Sequence, residues 1–252
     1  MSEQGEATQP VIQVRDLRFA YPGGRIALDG VSLSVRAGER VGLVGANGAG
    51  KTTLFLCLTG VLPPLSGQVR VVDLDVTDPV QRRRLPARVG IVFQNSDDQL
   101  FNATVRDDVA FGPLNLGVSA QEVRLRVQES LERVGMAGQE GRVPFHLSGG
   151  EKRRVALAGV LAMRPEVLLL DEPSMFLDPR GRRELIDLLR TVGGTQVIAS
   201  HDLEMMLLIC DRVVVLASGR VVGDGPARAI LGDERLMEAH GLEVPWSLRK
   251  GS

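Results

Sequence analysis

Cysteine and large aromatic residues are scarce in this chain: 252 residues hold two cysteines, one tryptophan, one tyrosine and seven phenylalanines. Two cysteines without C-x-x-C spacing cannot form a disulfide framework and give no support for structural zinc. Cys57 and Cys210 stand in apolar helical contexts and are expected to be reduced thiols of a cytosolic protein. An excess of one charge is lacking too. A formal net charge of −1 argues against a dedicated nucleic-acid binder. No apolar run reaches the ~18 residues that span a bilayer. Met1 to Pro10 is polar with no apolar stretch, so a secretory signal is not expected and these residues read as a loose tail. There is no internal repeat and no low-complexity linker. What remains is a chain that is 44% hydrophobic and long enough to bury a sizeable core.

Against that background one segment stands out. Gly45-Ala46-Asn47-Gly48-Ala49-Gly50-Lys51-Thr52 fits G-x-x-x-x-G-K-[ST] in full. Glycines let the backbone fold around an oxyanion with successive N–H groups pointing inward. Lys51 can reach β- and γ-phosphates, and the Thr52 hydroxyl can hold Mg²⁺. Val41 to Val44 before it is an apolar run suited to a buried strand. Thr52 to Leu58 after it, with Thr53 second, can be a helix stopped at Gly60. A phosphate would then sit on a helix N-terminus at a strand end. This predicts nucleotide binding but no particular function.

About a hundred residues later comes His146-Leu147-Ser148-Gly149-Gly150-Glu151, before a helical pattern through Val155, Leu157, Ala158 and Leu161. Ser148 and Glu151 have capping-box spacing, so a well-capped helix is one reading. Gly149 and Gly150 add another: exposed N–H groups at a positively polarised helix end form a second anion site. Val167 to Leu170 then reads as a buried parallel strand with Asp171 and Glu172 at its C-terminal end. Such a pair can be merely solvated. Behind a phosphate loop, Asp171 is expected to assist Mg²⁺ and Glu172 to polarise an attacking water as general base. Asp178-Pro179 starts another helix. Gln196 to Ala199 reads as a strand, and His201 at its end would contact the γ-phosphate or position the water.

At this point the chain resembles the ATP-binding-cassette (ABC) ATPases, over residues 11 to about 230. Tyr21 matches the aromatic that stacks on adenine, residues 45–53 match Walker A, and Gln94 matches the Q-loop. Leu147 to Glu151 matches the signature motif, residues 167–172 match Walker B, residues 174–178 match the D-loop, and His201 matches the switch histidine. Two positions depart from the pattern. Glu151 stands where glutamine is common, and Met175 and Phe176 stand where small residues are common. The resemblance implies an α/β fold: a P-loop NTPase (RecA-like) core, an antiparallel β subdomain and a helical signature-motif insert. It implies ATP and Mg²⁺ as cofactors. Lys51, Gln94, Glu172 and His201 would be catalytic, and Thr52, Gln94 and Asp171 would lie at the metal.

A narrower resemblance is carried by Phe93 to Phe101, by Asp108 to Gly117 and by Ala158 to Met163. These segments are similar to the ATPase subunits of energy-coupling-factor (ECF) importers, especially the cobalt/nickel type. That similarity implies a peripheral protein on the cytoplasmic face of the cell membrane. Its partners would be a second ATPase chain, identical or related, a transmembrane coupling subunit and a substrate-binding membrane subunit, with no nucleic acid. The signature would face away from its own phosphate loop, so that two chains bind head to tail around two ATPs with C₂ symmetry. Asp97 and Asp98 are expected to help form the docking groove for a membrane partner, against the alternative of solvated carboxylates on a turn. The competing readings are a non-transport ABC ATPase of repair or translation, an ECF importer of a vitamin, and a small-molecule phosphotransferase. The first would usually carry a long coiled-coil insert or two cassettes, and the last would need no signature.

The expected organisation follows. Residues 1–10 are a disordered tail, 11–225 the ATPase domain with the helical insert at about 96–163, and 226–252 a short helical extension where Trp246 is expected to pack. Val11 to Arg36 alternates around the turn at Tyr21 to Gly24 and suggests an antiparallel sheet. Arg40 to about Phe93 and Pro165 to about Leu216 supply the parallel core. Ser119 and Glu122 are spaced as a capping box for a helix whose apolar stripe is Val123, Val127, Leu131 and Val134. Ser218-Gly219 suggests a hairpin turn.

Overall fold

A computed structural model of the protein describes residues 10–249. Strands β1 (Pro10–Ala20) and β2 (Ile26–Arg36) form an antiparallel hairpin. Strand β3 (Arg40–Val44) leads through the phosphate loop into helix α1 (Lys51–Leu58). Then come β4 (Ser66–Val71), β5 (Leu74–Asp75), α2 (Pro79–Arg82) and β6 (Val89–Val92). The insert holds α3 (Val105–Asn115), α4 (Ala120–Arg133) and α5 (Gly149–Ala162). The chain returns through β7 (Val167–Asp171), α6 (Pro179–Thr191), β8 (Thr195–Ala199), α7 (Leu203–Ile209), β9 (Arg212–Ala217) and β10 (Arg220–Pro226). It continues through α8 (Ala227–Leu231) and α9 (Glu234–Ala239).

The strands make a four-stranded antiparallel sheet, β2-β1-β4-β5, and a six-stranded sheet, β10-β9-β3-β8-β7-β6. Neighbours from β9 to β6 are all parallel, and only β10 runs antiparallel. The short apolar runs at β3, β7 and β8 are buried on both faces, as parallel strands covered on both sides must be. Alternation sorts their side chains. Val41, Leu43, Val167, Leu169 and Val197 face the core shared with α1 and the smaller sheet. Val44, Leu168, Leu170 and Ile198 face the second core, which joins the insert, α6, α7 and the C-terminal helices. The parallel register puts the C-terminal ends of β3, β7 and β8 side by side, with Leu43 opposite Ala199 and Ala199 opposite Asp171. Loops leaving those ends therefore share one edge.

Three local expectations change. Ser119 caps α4 by accepting from the Glu122 N–H, but Glu122 does not reach back to it. Its carboxylate is taken by Arg126 at 2.9 Å and Arg164 at 3.0 Å, because charge-assisted bonds to guanidinium outweigh one to a neutral N–H. Trp246 does not pack inward: it is 77% exposed, with the Arg249 guanidinium stacked 4.2 Å from its ring centroid. Of the tail, only Pro10 lies within the described residues, where it begins β1. The Ser218-Gly219 turn forms as expected, both residues having positive φ, 47° and 75°.

Candidate functional site

The phosphate loop is shaped by close packing. A Cβ on Gly45 would lie 2.2 Å from the Leu216 carbonyl oxygen, and Gly50, at φ 108°, would bring one to 2.7 Å from the Ala27 carbonyl. No other residue fits those two positions. The loop borders a cleft of about 1180 Å³ lined by Tyr21, Arg25, Ile26, the 47–53 segment, Gln94, Asp171, Glu172, Ser174, Met175, Ser200, His201 and Asp202.

Inside the cleft the groups interlock. Lys51, only 7% exposed, donates to the Gly45 carbonyl at 2.6 Å and to that of Ala46 at 3.3 Å. Burial pushes its ammonium down in pKa, and the Glu172 and Asp171 carboxylates oppose that. The Thr52 hydroxyl donates to Asp171 Oδ2 at 2.6 Å. Burial raises the Asp171 carboxyl, countered by that hydroxyl and by the charges of Lys51 and Arg153. Glu172 follows the strand end at φ 47°, with its N–H donating to the Ala199 carbonyl at 2.8 Å. That left-handed backbone turns the side chain to His201, whose N–H donates to Glu172 Oε2 at 3.1 Å. The other carboxylate oxygen, Oε1, is buried without a hydrogen-bond partner and lies 3.4 Å from His201 Nε2. The same Nε2 is 2.9 Å from Asn47 Oδ1 and 3.4 Å from Lys51 Nζ. Strain at Glu172 and an unpaired buried acceptor are features that cluster where chemistry is done.

A magnesium ion suits this donor set. Thr52 Oγ1 and Asp171 Oδ2 are hard oxygen ligands side by side. No group of three or more His, Cys, Asp or Glu that could hold a metal ion occurs among the described residues. Gln94 is not part of that pair: its Nε2 donates to Met175 Sδ at 2.9 Å. Tyr21 stands at the rim, 38% exposed. Its ring is held edge-on by Phe19 and its hydroxyl lies 3.1 Å from Thr53 Oγ1.

The signature residues lie elsewhere. Ser148 and Gly149 are exposed and none of Ser148, Gly149 or Gly150 lines the cleft. Both halves of the capping box form, with the Ser148 N–H donating to Glu151 Oε2 at 2.8 Å and the Glu151 N–H to Ser148 Oγ at 3.3 Å. The Ser148 N–H and the Arg142 guanidinium hold the Glu151 carboxyl down at about 2. Glutamate thus fills the usual glutamine role in this cap.

Other features were not visible in the sequence. Arg153 sits in the run Glu151-Lys152-Arg153-Arg154, which reads as a solvated helix face. It is 5% exposed and donates to the carbonyls of Phe93 at 2.7 Å and Gln94 at 2.5 Å. Asp202 caps α7 and is paired with Arg182 at 2.5 Å; an Asp before a helix was the only available signal. Asp97 is engaged by Lys152 at 2.7 Å. Asp98, bonded to Asn95, lines a separate groove with Phe101, Phe111 and Met163.

Comparison with known proteins places the chain among related sequences and folds. A family model described as "ABC transporter" matches residues 28–175. The energy-coupling factor transporter ATP-binding protein EcfA of Methanothermobacter thermautotrophicus is 49% identical over 240 residues, covering 93% of this chain and 77% of that one. The structure of cbiO1 from Clostridium perfringens, part of the ABC transporter complex cbiONQ, superposes with a TM-score of 0.80. It is 37% identical and the match covers 91% of this chain and 94% of that one. The dimeric post-hydrolysis structure of the ATP-binding cassette MJ0796, bound to ADP and Pi, gives a TM-score of 0.78 at 25% identity, covering 86% and 98%.

Proposed function

This chain belongs to the ABC transporter family, as an ATP-hydrolysing subunit of the energy-coupling-factor type, and from that premise we propose that it powers uptake of a transition-metal ion, cobalt or nickel. The observation that carries the reading is the division of the site. Lys51, Asp171, Glu172 and His201 converge in one cleft, whereas the Ser148 helix start opens to solvent away from it. A second chain turned head to tail supplies the missing half to each cleft.

The residues then divide the work. Lys51 leaves its loop carbonyls for the β- and γ-phosphates, and Tyr21 offers its ring to the adenine. Thr52 and Asp171 would hold Mg²⁺, whose charge would offset that of the phosphate oxygens. Glu172 Oε1, free of donors, accepts a proton from the attacking water. His201 orients that water or the γ-phosphate. From the second chain, Gly149 and Gly150 close on the phosphate with backbone N–H groups at the helix start that Ser148 caps. Most of the rate comes from positioning and charge neutralisation.

Among the described residues no helix is long and apolar enough to cross a membrane, which supports peripheral attachment to membrane-embedded partners at the cytoplasmic face. The groove bearing Asp98, Phe101 and Phe111 suits a helix from the coupling subunit, with Asp98 free to meet an arginine at the edge. Asp97, already paired with Lys152, contributes less. Metal as substrate rests on the resemblance of residues 93–101, 108–117 and 158–163 to the cobalt/nickel type; the similar cbiO1 is part of an ABC transporter complex. Copurification with the membrane subunits, followed by uptake of labelled cobalt or nickel into proteoliposomes, tests this. ATP-dependent metal uptake that Glu172→Gln abolishes is the expected result; uptake of a vitamin and no metal would overturn the substrate assignment.

A further inference from the structure

His201 and Asp202 line two open spaces, the phosphate cleft and a second cavity of about 390 Å³. The second cavity is walled by Leu203 and Glu204 at the start of α7 and by the 241–246 segment with Arg249. The turn that carries His201 is therefore free to shift unless polar bonds tie it down. Two such ties exist. Asp202 is held from α6 by two nitrogens of the Arg182 guanidinium, at 2.5 and 2.7 Å. Glu204 is held from the C-terminal segment: the Ser247 N–H donates to Oε1 at 3.0 Å and the Ser247 hydroxyl to Oε2 at 2.8 Å.

One residue thus engages both oxygens of a carboxylate 43 positions away. Bonds to an ionised acceptor are the stronger kind, and two of them fix its orientation. They hold the Glu204 carboxyl below its ordinary range, against burial and the neighbouring Asp202 charge. Ser247 itself is exposed and fills no place in the core. The segment that presents it is anchored on both sides. Val244 is buried in the core that α6 and α7 share, and Leu248 packs against the same core. Arg249 closes the segment by donating to the Val244 carbonyl at 3.0 Å while stacking 4.2 Å from the Trp246 ring centroid.

We propose that Ser247 and Glu204 form a brace through which the C-terminal segment positions His201 for hydrolysis. The inference rests on the role given to His201 above and goes beyond it by assigning a task to residues 244–249. The brace acts on the first turn of α7, which Asp202 caps by accepting from the Met205 N–H at 2.9 Å. His201 directly precedes that cap. With the brace in place, His201 Nε2 stays 2.9 Å from Asn47 Oδ1 and 3.4 Å from Glu172 Oε1. With it released, the turn relaxes into the cavity beside it and the ring leaves that position. Ser247 and Glu204 touch no reacting atom; they act through His201.

The test uses the full chain, which has only three histidines, so that ring-proton signals in NMR are readily assigned with His201→Ala. Ser247→Ala should shift or broaden the His201 signals of the nucleotide-free protein and leave those of His146 in place. It should lower kcat about tenfold with KM and ATP affinity unchanged, within what a small misplacement costs. Ser247→Thr, which keeps the hydroxyl, should match the parent. Glu204→Ala should act at least as strongly, and the double variant should be no worse than Glu204→Ala alone, as expected of residues that work as a pair. Melting temperatures separate a brace from general loosening. Unmoved His201 signals in Ser247→Ala, or turnover lost only in proportion to stability, would overturn the proposal, as would additive effects of the two substitutions. If His201→Ala keeps full turnover, the reading of His201 itself fails, and the ring signals alone then decide whether the brace exists.

Discussion

At the scale of single residues, the proposed chemistry rests on Glu172. Its Oε1 is buried, unbonded and 3.4 Å from His201 Nε2. Replacing that carboxylate by an amide keeps shape and removes the base. Glu172→Gln should bind ATP normally and lose about 10²–10⁴ in turnover, the range for a positioned general base. Steady-state hydrolysis with ATP binding measured in parallel checks this, and near-normal turnover would remove Glu172 from the role. Most cleft residues were legible in the sequence because each belongs to a contiguous run: a glycine loop before Lys51, an apolar strand before Asp171, another before His201. Gln94 was legible as a residue but not in its contact. Its bond to Met175 joins segments 81 residues apart, and neither segment carries a local signal for it. Arg153 was hidden for the opposite reason: a local signal, the charged run, indicated solvent exposure, while tertiary packing buried it against the Phe93 and Gln94 carbonyls.

At the scale of elements, the signature helix is set by its cap. Ser148 and Glu151 satisfy each other's N–H groups, and Arg142 adds a bond to Glu151 Oε1 at 2.6 Å. The folded carboxyl is depressed to about 2 from an ordinary 4.5. A depressed carboxylate contributes stability that is present above the unfolded pKa and is lost as pH falls through the folded one. Glu151→Gln should therefore be less stable than the parent above about pH 4.5, and the difference should shrink as pH falls toward 2. Melting temperatures of both proteins across that window test it; a difference independent of pH would mean that the charge does nothing for the cap. Strands β3, β7 and β8 and helix α5 were readable because pattern and capping agree there. The Ser119 box was half right, since sequence spacing cannot show Arg164 arriving from 42 residues away. Trp246 was expected to pack within the C-terminal extension, but its neighbours Val244 and Leu248 are the residues that reach the core, and Trp246 is left exposed beneath Arg249.

At the scale of the whole molecule, the chain reads as half of a machine. One face presents a cleft with cations, carboxylates and a phosphate loop; the signature helix start presents N–H groups with no phosphate of its own. The buried Arg153 links that helix to the Gln94 segment, and the Asp98 groove is lined by residues that follow Gln94 and by Val155, Ala156 and Gly159 of the same helix. The family resemblance implied a signature facing away from its own phosphate loop, and in the structure Ser148 does not line its own cleft.

That division is tested most directly by mixing two inactive proteins. Lys51→Ala removes a chain's own phosphate contact, and Ser148→Arg removes what it lends to its partner. Ser148→Arg should still bind ATP as a monomer, whereas Lys51→Ala should not. In an equal mixture, half of the dimers are mixed and each has one intact site, so ATPase activity should recover to roughly a quarter of the parent. No recovery where mixed dimers demonstrably form, or a Ser148→Arg monomer unable to bind ATP, would contradict a site built from two chains.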